Sequence, residues 1–243
     1  MVSSASSWDR ISMVASPETG SGLSRDSLSA MIYNDLKSSL MSSAFEPGER
    51  LNIRRLAATF DTSPTPVREA VMQLVREGGL ELRPGHELRV PILTVERYKK
   101  IREVRAPLER MATEMATPLI TKETLSALGQ INERFLNAEN AGRWKEALSL
   151  NTKFHFTIYA ASGNEILVAA IENLWLLVGP FLINQYPSDN HPHDRNHPHL
   201  HLLDALHRQD AHEAGEIVLQ GLQKGSSLII EKLQRNAAYP AAP

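Results

Sequence analysis

Between residues 24 and 42, apolar side chains recur at Leu28, Met31, Ile32, Leu36 and Leu40, close to the 3.6-residue period of an α-helix. Phe45-Glu46-Pro47-Gly48 then forces a turn, because Pro-Gly stops any helix. Two shorter helical segments follow, 53–60 and 65–77, separated by Asp61-Thr62-Ser63-Pro64. Gly78-Gly79 supplies the stop for the second. The pattern then switches to period two: Leu80-Glu81-Leu82-Arg83 and Glu87-Leu88-Arg89-Val90 flank Pro84-Gly85, as two strands of a hairpin would. Helix, helix, helix and hairpin in this order predict a winged helix-turn-helix.

The rest of the chain, from 93 to 240, reads as helices only. Residues 94–120 carry apolar positions at Val95, Tyr98, Ile101, Val104, Leu108, Met111, Met115 and Leu119, with Pro107 placed to kink or split the helix. Thr121, with Glu123 and Thr124 behind it, starts a second helix that runs to about Asn140. A third spans 144–162 and stops at Gly163; Asn164 caps a fourth that kinks at Gly179-Pro180. After a loop at 187–197, segments 198–208 and 211–235 complete six. The fold class is therefore mainly α. A disordered tail (1–22) precedes a winged helix-turn-helix (23–92) with a small β-hairpin wing, and an all-α bundle of about six helices (93–240) follows. Such a bundle can enclose a cavity between its helices.

Composition narrows the chemistry. There is no cysteine, which removes disulfides, zinc-thiolate sites and cysteine nucleophiles. The serine-rich start lacks a basic stretch ahead of an apolar core and does not read as a signal peptide. The longest apolar run, 166–183, is interrupted by Glu172, Asn173 and Gly179-Pro180 before the ~18 residues a membrane span needs. A cytoplasmic protein is expected. Neither Gly-x-Ser-x-Gly nor His-Glu-x-x-His occurs, so no nucleophile elbow or zincin site supports an enzyme reading. The formal net charge is −2, and residues 23–92 hold nine basic and nine acidic side chains. DNA affinity must then come from placement of Arg54, Arg55, Arg68, Arg83 and Arg89 on one surface, and from a dimer engaging two half-sites.

Segment 65–77 is the candidate groove-entering helix. Pro66 lies in its first turn, where a missing N–H costs nothing. Ser63 and Thr65 can cap it and donate to phosphate. Arg68, one turn in, can fork onto a base edge or reach a phosphate. The competing reading is that Ser63 and Thr65 only cap, while Arg68 only pairs with Glu69 or Glu77.

Phe45-Glu46-Pro47-Gly48-Glu49-Arg50-Leu51, Arg55-Leu56-Ala57 and Ser63-Pro64-Thr65-Pro66-Val67-Arg68-Glu69-Ala70 resemble the GntR family of bacterial transcription regulators. The resemblance implies that Arg54, Arg55, Ser63, Thr65 and Arg68 contact double-stranded operator DNA, with the wing tip, Gly85-His86, in the minor groove. Pro64 departs from the pattern: many members carry arginine there, so one contact is missing.

Arg105-x-x-Leu108-Glu109, Phe154-His155 with Ala161-Ser162-Gly163-Asn164, and His199-x-x-Leu202-Leu203-x-Ala205-Leu206 with Asp210 and Ala214 resemble the FCD effector domain of the FadR subfamily. That resemblance implies a pocket in which an aspartate and three histidines hold a divalent metal, and metal and arginine together hold a small carboxylate. The arginine maps to Arg105. The four ligand positions map to Asn151, His155, His199 and Gly221, so two of the four are kept. Asn151, His155 and His199 form at most an incomplete zinc or nickel site, unless Gln220 or Gln223 swings in. The alternative is a metal-free pocket in which Asn151 and His155 grip the effector directly and Gly221 leaves extra room. This suits a bulkier or less acidic molecule than a dicarboxylate.

His191, His193, His197, His199 and His201 also form a histidine-rich tract, either a metal-binding segment or a solvated loop. Only His199 has a role by resemblance; His201 lies about 200° around the helix from it. The leading expectation is a homodimeric repressor on an inverted-repeat operator, controlled by a small organic acid. A metal-responsive regulator using the histidine tract is the alternative.

Overall fold

The computed structural model describes residues 25–85, 87–186 and 197–238. The expected tail at 1–22, His86 and most of the histidine tract lie outside these residues. The chain divides between Leu93 and Thr94 into two units.

The first unit is built from α1 (Arg25–Met41), β1 (Arg50–Leu51), α2 (Ile53–Thr59), α3 (Pro64–Arg76), β2 (Glu81–Arg83) and β3 (Glu87–Arg89). The 3.6-period stripe of α1 buries Ile32, Leu36 and Leu40, and α1 packs on α3, which buries Val67, Ala70, Val71 and Leu74. Each large side chain so buried contributes about 1.5–3 kcal/mol relative to exposure. The sheet is three-stranded and antiparallel in the order β1-β3-β2, with Leu51 and Leu82 both paired to Leu88. The hairpin matches the period-two reading. β1 does not emerge from it, because two residues are too few to show alternation. The tip glycine, Gly85, has φ +81°, a left-handed conformation that other residues adopt at a cost.

The second unit contains α4 (Val95–Ala116), a 3-10 turn (Thr117–Leu119), α5 (Lys122–Asn140), α6 (Trp144–Ala160), α7 (Glu165–Val178), a 3-10 segment (Gly179–Gln185), α8 (Pro198–His207) and α9 (Ala211–Ala238). Caps fix the starts: Thr94, Thr121 and Asn164 accept from the backbone N–H of Arg97, Thr124 and Leu167. Two expectations are corrected. Pro107 does not split α4, which is continuous from Val95 to Ala116. Pro107 and Glu103 are both exposed, so water can take up the carbonyl that the proline leaves unbonded. Gly179-Pro180 does not kink a longer helix; α7 ends at Val178 and the chain tightens into 3-10 geometry.

Helix α4 is the spine, packed against α6, α7 and most extensively α9. At Gly215 an added Cβ would come 2.7 Å from Glu114 Cγ, so glycine lets α9 approach α4 this closely. The stretch Glu165–Gln185 is long and apolar enough to cross a bilayer by composition, but half of it is buried inside this unit. Ile171, Trp175, Leu176, Phe181 and Leu182 lie in the core.

Candidate functional site

In the first unit, the Asn52 side chain accepts from the N–H of Arg54 (2.9 Å) and Arg55 (3.1 Å), fixing the first turn of α2. Both arginines are exposed. Ser63 occupies the N-cap of α3 but makes no side-chain capping bond, and Thr65 is already the second helical residue. The capping role expected of both hydroxyls is therefore corrected. The reason lies in the prolines: Pro64 and Pro66 remove two of the first N–H groups, including the one a cap would usually serve. Ser63, Thr65 and Arg68 are exposed. Arg68 forms no ion pair among the described residues; Glu77 instead accepts from the Tyr33 hydroxyl (2.7 Å) and Gln73 (3.1 Å).

The two wing arginines differ. Arg83 is exposed and pairs with Glu81 at 2.6 Å, an interaction of the weak surface kind. Arg89 is mostly covered and donates to Glu87 at 3.0 Å, and its Nε is buried. It is thus withdrawn from the phosphate-facing surface that the sequence reading assigned to it. Gly85 is exposed at the wing tip.

In the second unit, a cavity of about 230 Å³ lies between the helices. Arg105, Asn151, His155, His199 and Gly221, from α4, α6, α8 and α9, all line it. The structure thus brings the four mapped ligand positions and the arginine to one cavity. Further polar residues line it that sequence reasoning had not assigned, among them Glu109, Glu139, Tyr186, His197 and Lys224.

Glu109 organises the Arg105 end. Its carboxylate accepts from Arg105 Nε, Trp175 Nε1 (2.6 Å) and the Tyr159 hydroxyl (2.7 Å). The Arg105 guanidinium also lies over the Trp175 ring, 4.5 Å from its centroid. Burial alone would depress the Arg105 pKa, but Glu109, Tyr98 and Tyr159 outweigh it and hold the guanidinium above its ordinary value. The arginine is therefore charged, while the pair it forms with Glu109 is neutral.

The two imidazoles stand edge to face, with centroids 5.2 Å apart. His199 is buried, stacked on Phe154 at 4.1 Å, and its Nδ1 lies 3.1 Å from Asn132 Oδ1. Nδ1 therefore carries the proton, and the Nε2 lone pair is left for other partners. Burial, then the neighbouring His155 and His197, push the His199 pKa well down. His155 is lowered to about 4, chiefly by burial, with Glu109 opposing and Arg105 assisting. Both rings are neutral at physiological pH.

This donor set does not fit a divalent metal. Asn151 offers only an amide oxygen, Gly221 has no side chain, and Gln220 and Gln223 are exposed and do not line the cavity. No group of three or more His, Asp or Glu among the described residues is placed to share an ion, whereas a zinc site takes three or four protein ligands. An added Cβ at Gly221 would meet nothing within 4 Å, so that position is open space. His201 is exposed, on the other side of α8 from buried His199. His191 and His193 fall outside the described residues.

A helix-turn-helix head joined to a helical unit with an internal polar cavity defines a DNA-binding transcription regulator with a ligand-binding domain. Residues 28–90 match the bacterial regulatory proteins of the gntR family, and residues 100–224 match the FCD domain. The chain belongs to the GntR family, in its FCD-bearing FadR subfamily. It is similar to the HTH-type transcriptional regulator McbR of Escherichia coli K12, 31% identical over 223 residues, or 90% of this chain and 100% of McbR. The Nta operon transcriptional regulator of Aminobacter aminovorans is 29% identical over 77% of this chain and 87% of its own length. The HTH-type transcriptional repressor RspR of E. coli K12 is 22% identical over 86% and 91%. The solved structure of E. coli McbR/YncC superimposes with a TM-score of 0.78 at 30% identity, covering 85% of this chain and 98% of that one.

Proposed function

We propose that this regulator is a cytoplasmic repressor, acting as a homodimer on an inverted-repeat operator, and that a small organic effector in the helical unit controls its affinity. Residues 23–92 are taken as the DNA-binding domain and 93–240 as the effector domain. Arg54, Arg55, Ser63, Thr65 and Arg68 carry the DNA contacts, with Gly85 and His86 at the wing tip. Repression is the role in the name of the similar RspR.

The observation that carries the effector reading is the cavity itself, where Arg105, Asn151, His155 and His199 converge. A carboxylate on the effector would meet Arg105, whose Nε is committed to Glu109, through the remaining guanidinium nitrogens. Arg105 and Lys224 line the cavity as cations against the carboxyl groups of Glu109 and Glu139, and both imidazoles are uncharged. The lining therefore has no large positive excess and suits a molecule with one carboxylate better than a dicarboxylate. The metal-responsive alternative is not favoured, since the donor set is incomplete.

Arg68→Ala tests the head. Anisotropy titration of operator DNA should show affinity falling by about 5- to 150-fold, the equivalent of 1–3 kcal/mol for a lost base contact. The melting temperature should be unchanged. Undiminished specific binding would remove α3 as the recognition helix.

A further inference from the structure

We infer that the end of the cavity away from the Arg105 cluster is a second recognition point, where Glu139 accepts a hydrogen bond from a hydroxyl or ammonium group of the effector. This rests on the cavity being the effector site.

The two carboxylates lining the cavity are in opposite states. Glu109 has three donors on it, as described. Glu139 has only 2% of its side chain exposed, and the Tyr186 hydroxyl donates to it. Its Oε2 is buried and has no hydrogen-bond partner among the described residues. His197 Nε2 lies 4.0 Å away, beyond hydrogen-bond reach. His197 is itself oriented by the backbone N–H of His199, which donates to its Nδ1 at 3.2 Å.

Leaving a buried carboxylate oxygen unbonded is costly, and the cost shows in Glu139, whose pKa burial raises to about 7 against the pull of the Tyr186 bond. A ligand group that donates to Oε2 would remove that cost on binding. A methyl group placed there would not, and a carboxylate would meet a like charge on ionised Glu139. The 4.0 Å gap between Oε2 and His197 Nε2 also fits a hydroxyl oxygen at about 2.8 Å from each, donating to Oε2 and accepting from Nε2–H, whereas an ammonium group could only donate to Oε2. An effector with a carboxylate at one end and a hydroxyl or amine at the other would satisfy both ends of the cavity.

The test uses the full chain and matched linear acids that differ only in the far group. The two sets are butyrate, γ-hydroxybutyrate, γ-aminobutyrate and succinate, and the corresponding six-carbon acids. Each is supplied at millimolar concentration and read by thermal shift and calorimetry. In the natural protein the hydroxyl- or amino-ended member of a set should bind at least tenfold more tightly than its methyl- and carboxylate-ended partners. The hydroxyl and amino arms show whether a neutral or a charged donor is preferred. Glu139→Gln keeps an acceptor for Tyr186 but turns an N–H into the cavity, so the preference should reverse towards the carboxylate-ended member. A preference unaltered by Glu139→Gln overturns the assignment. If methyl- or carboxylate-ended acids bind best to both proteins, Glu139 falls while the effector cavity stands. A flat panel, as when the gap takes only water, brings down both.

Discussion

In the head, Arg54, Ser63, Thr65 and Arg68 stand exposed, with no side-chain hydrogen bond among the described residues. In the helical unit, Arg105, Glu109, Tyr159 and Trp175 are buried and bonded to one another. The head's working residues are separable from its fold, which rests on Ile32, Leu36, Val71 and Leu74 beneath them. In the helical unit the groups proposed to meet ligand also hold the core together. Mutations in the two places should therefore fail differently: loss of binding alone in the head, loss of fold with function around Arg105.

The largest effect expected is at Glu109. Glu109→Ala strips the buried Arg105 of its counter-charge and leaves Trp175 and Tyr159 without an acceptor. Breaking a buried pair of this kind costs about 3–5 kcal/mol, measurable by urea unfolding. A loss below about 1 kcal/mol, the range of an ordinary surface pair, would erase the contrast with the head.

Next comes rebuilding the family's metal site. Asn151→Asp with Gly221→His restores the missing ligand types, and the open space at Gly221 gives the new ring room. With zinc at a hundred times its Kd, the double variant should gain about 2.7 kcal/mol of stability. The natural protein serves as the control for any zinc taken up by the histidine tract. Equal zinc stabilisation of both proteins would mean that the two substitutions build no new site in the cavity.

A smaller, pH-dependent effect is expected at Glu139. Its pKa is raised on folding from the ordinary 4.5 to about 7. The folded state therefore binds the extra proton, and stability is lost as pH rises from about 4.5 through 7. Glu139→Gln removes this loss. The variant should gain on the natural protein across that window by roughly 2 kcal/mol, read as a few degrees in melting temperature. The depressed His155 and His199 act in the opposite direction, losing stability as pH falls below the ordinary histidine value. They are common to both proteins and cancel in the difference. A pH-independent difference would place Glu139 in a less buried setting.

How much the chain discloses also differs between the two regions. The head's signals are local. The helix turn, the Pro-Gly wing and the segment from Ser63 to Ala70 each lie within a few residues, so periodicity and turn chemistry carry them. What escaped was a two-residue strand and the effect of two prolines on capping. The cavity draws on six helices, and no short window contains it. Arg105, Asn151, His155 and His199 were reached only through resemblance. Glu109 stood in the quoted motif without a role. Glu139 did leave a trace. It lies four residues beyond Phe135 and eight beyond Ile131, on the apolar stripe of α5 where an acidic residue has no packing reason to be. Asn132, which orients His199, sits on the same stripe. A polar residue at an apolar register position was the usable signal.

The ring contacts near the two ends of the cavity make the molecule its own optical instrument. Trp175 lies beneath the Arg105 guanidinium, and Trp144 stacks at 4.8 Å on Tyr186, the residue that bonds Glu139. Of the three indoles in the chain, one thus lines the space an effector would fill and a second stacks on a residue that does. Replacing either with phenylalanine would assign the emission change to one end, so occupancy of each could be followed without a label.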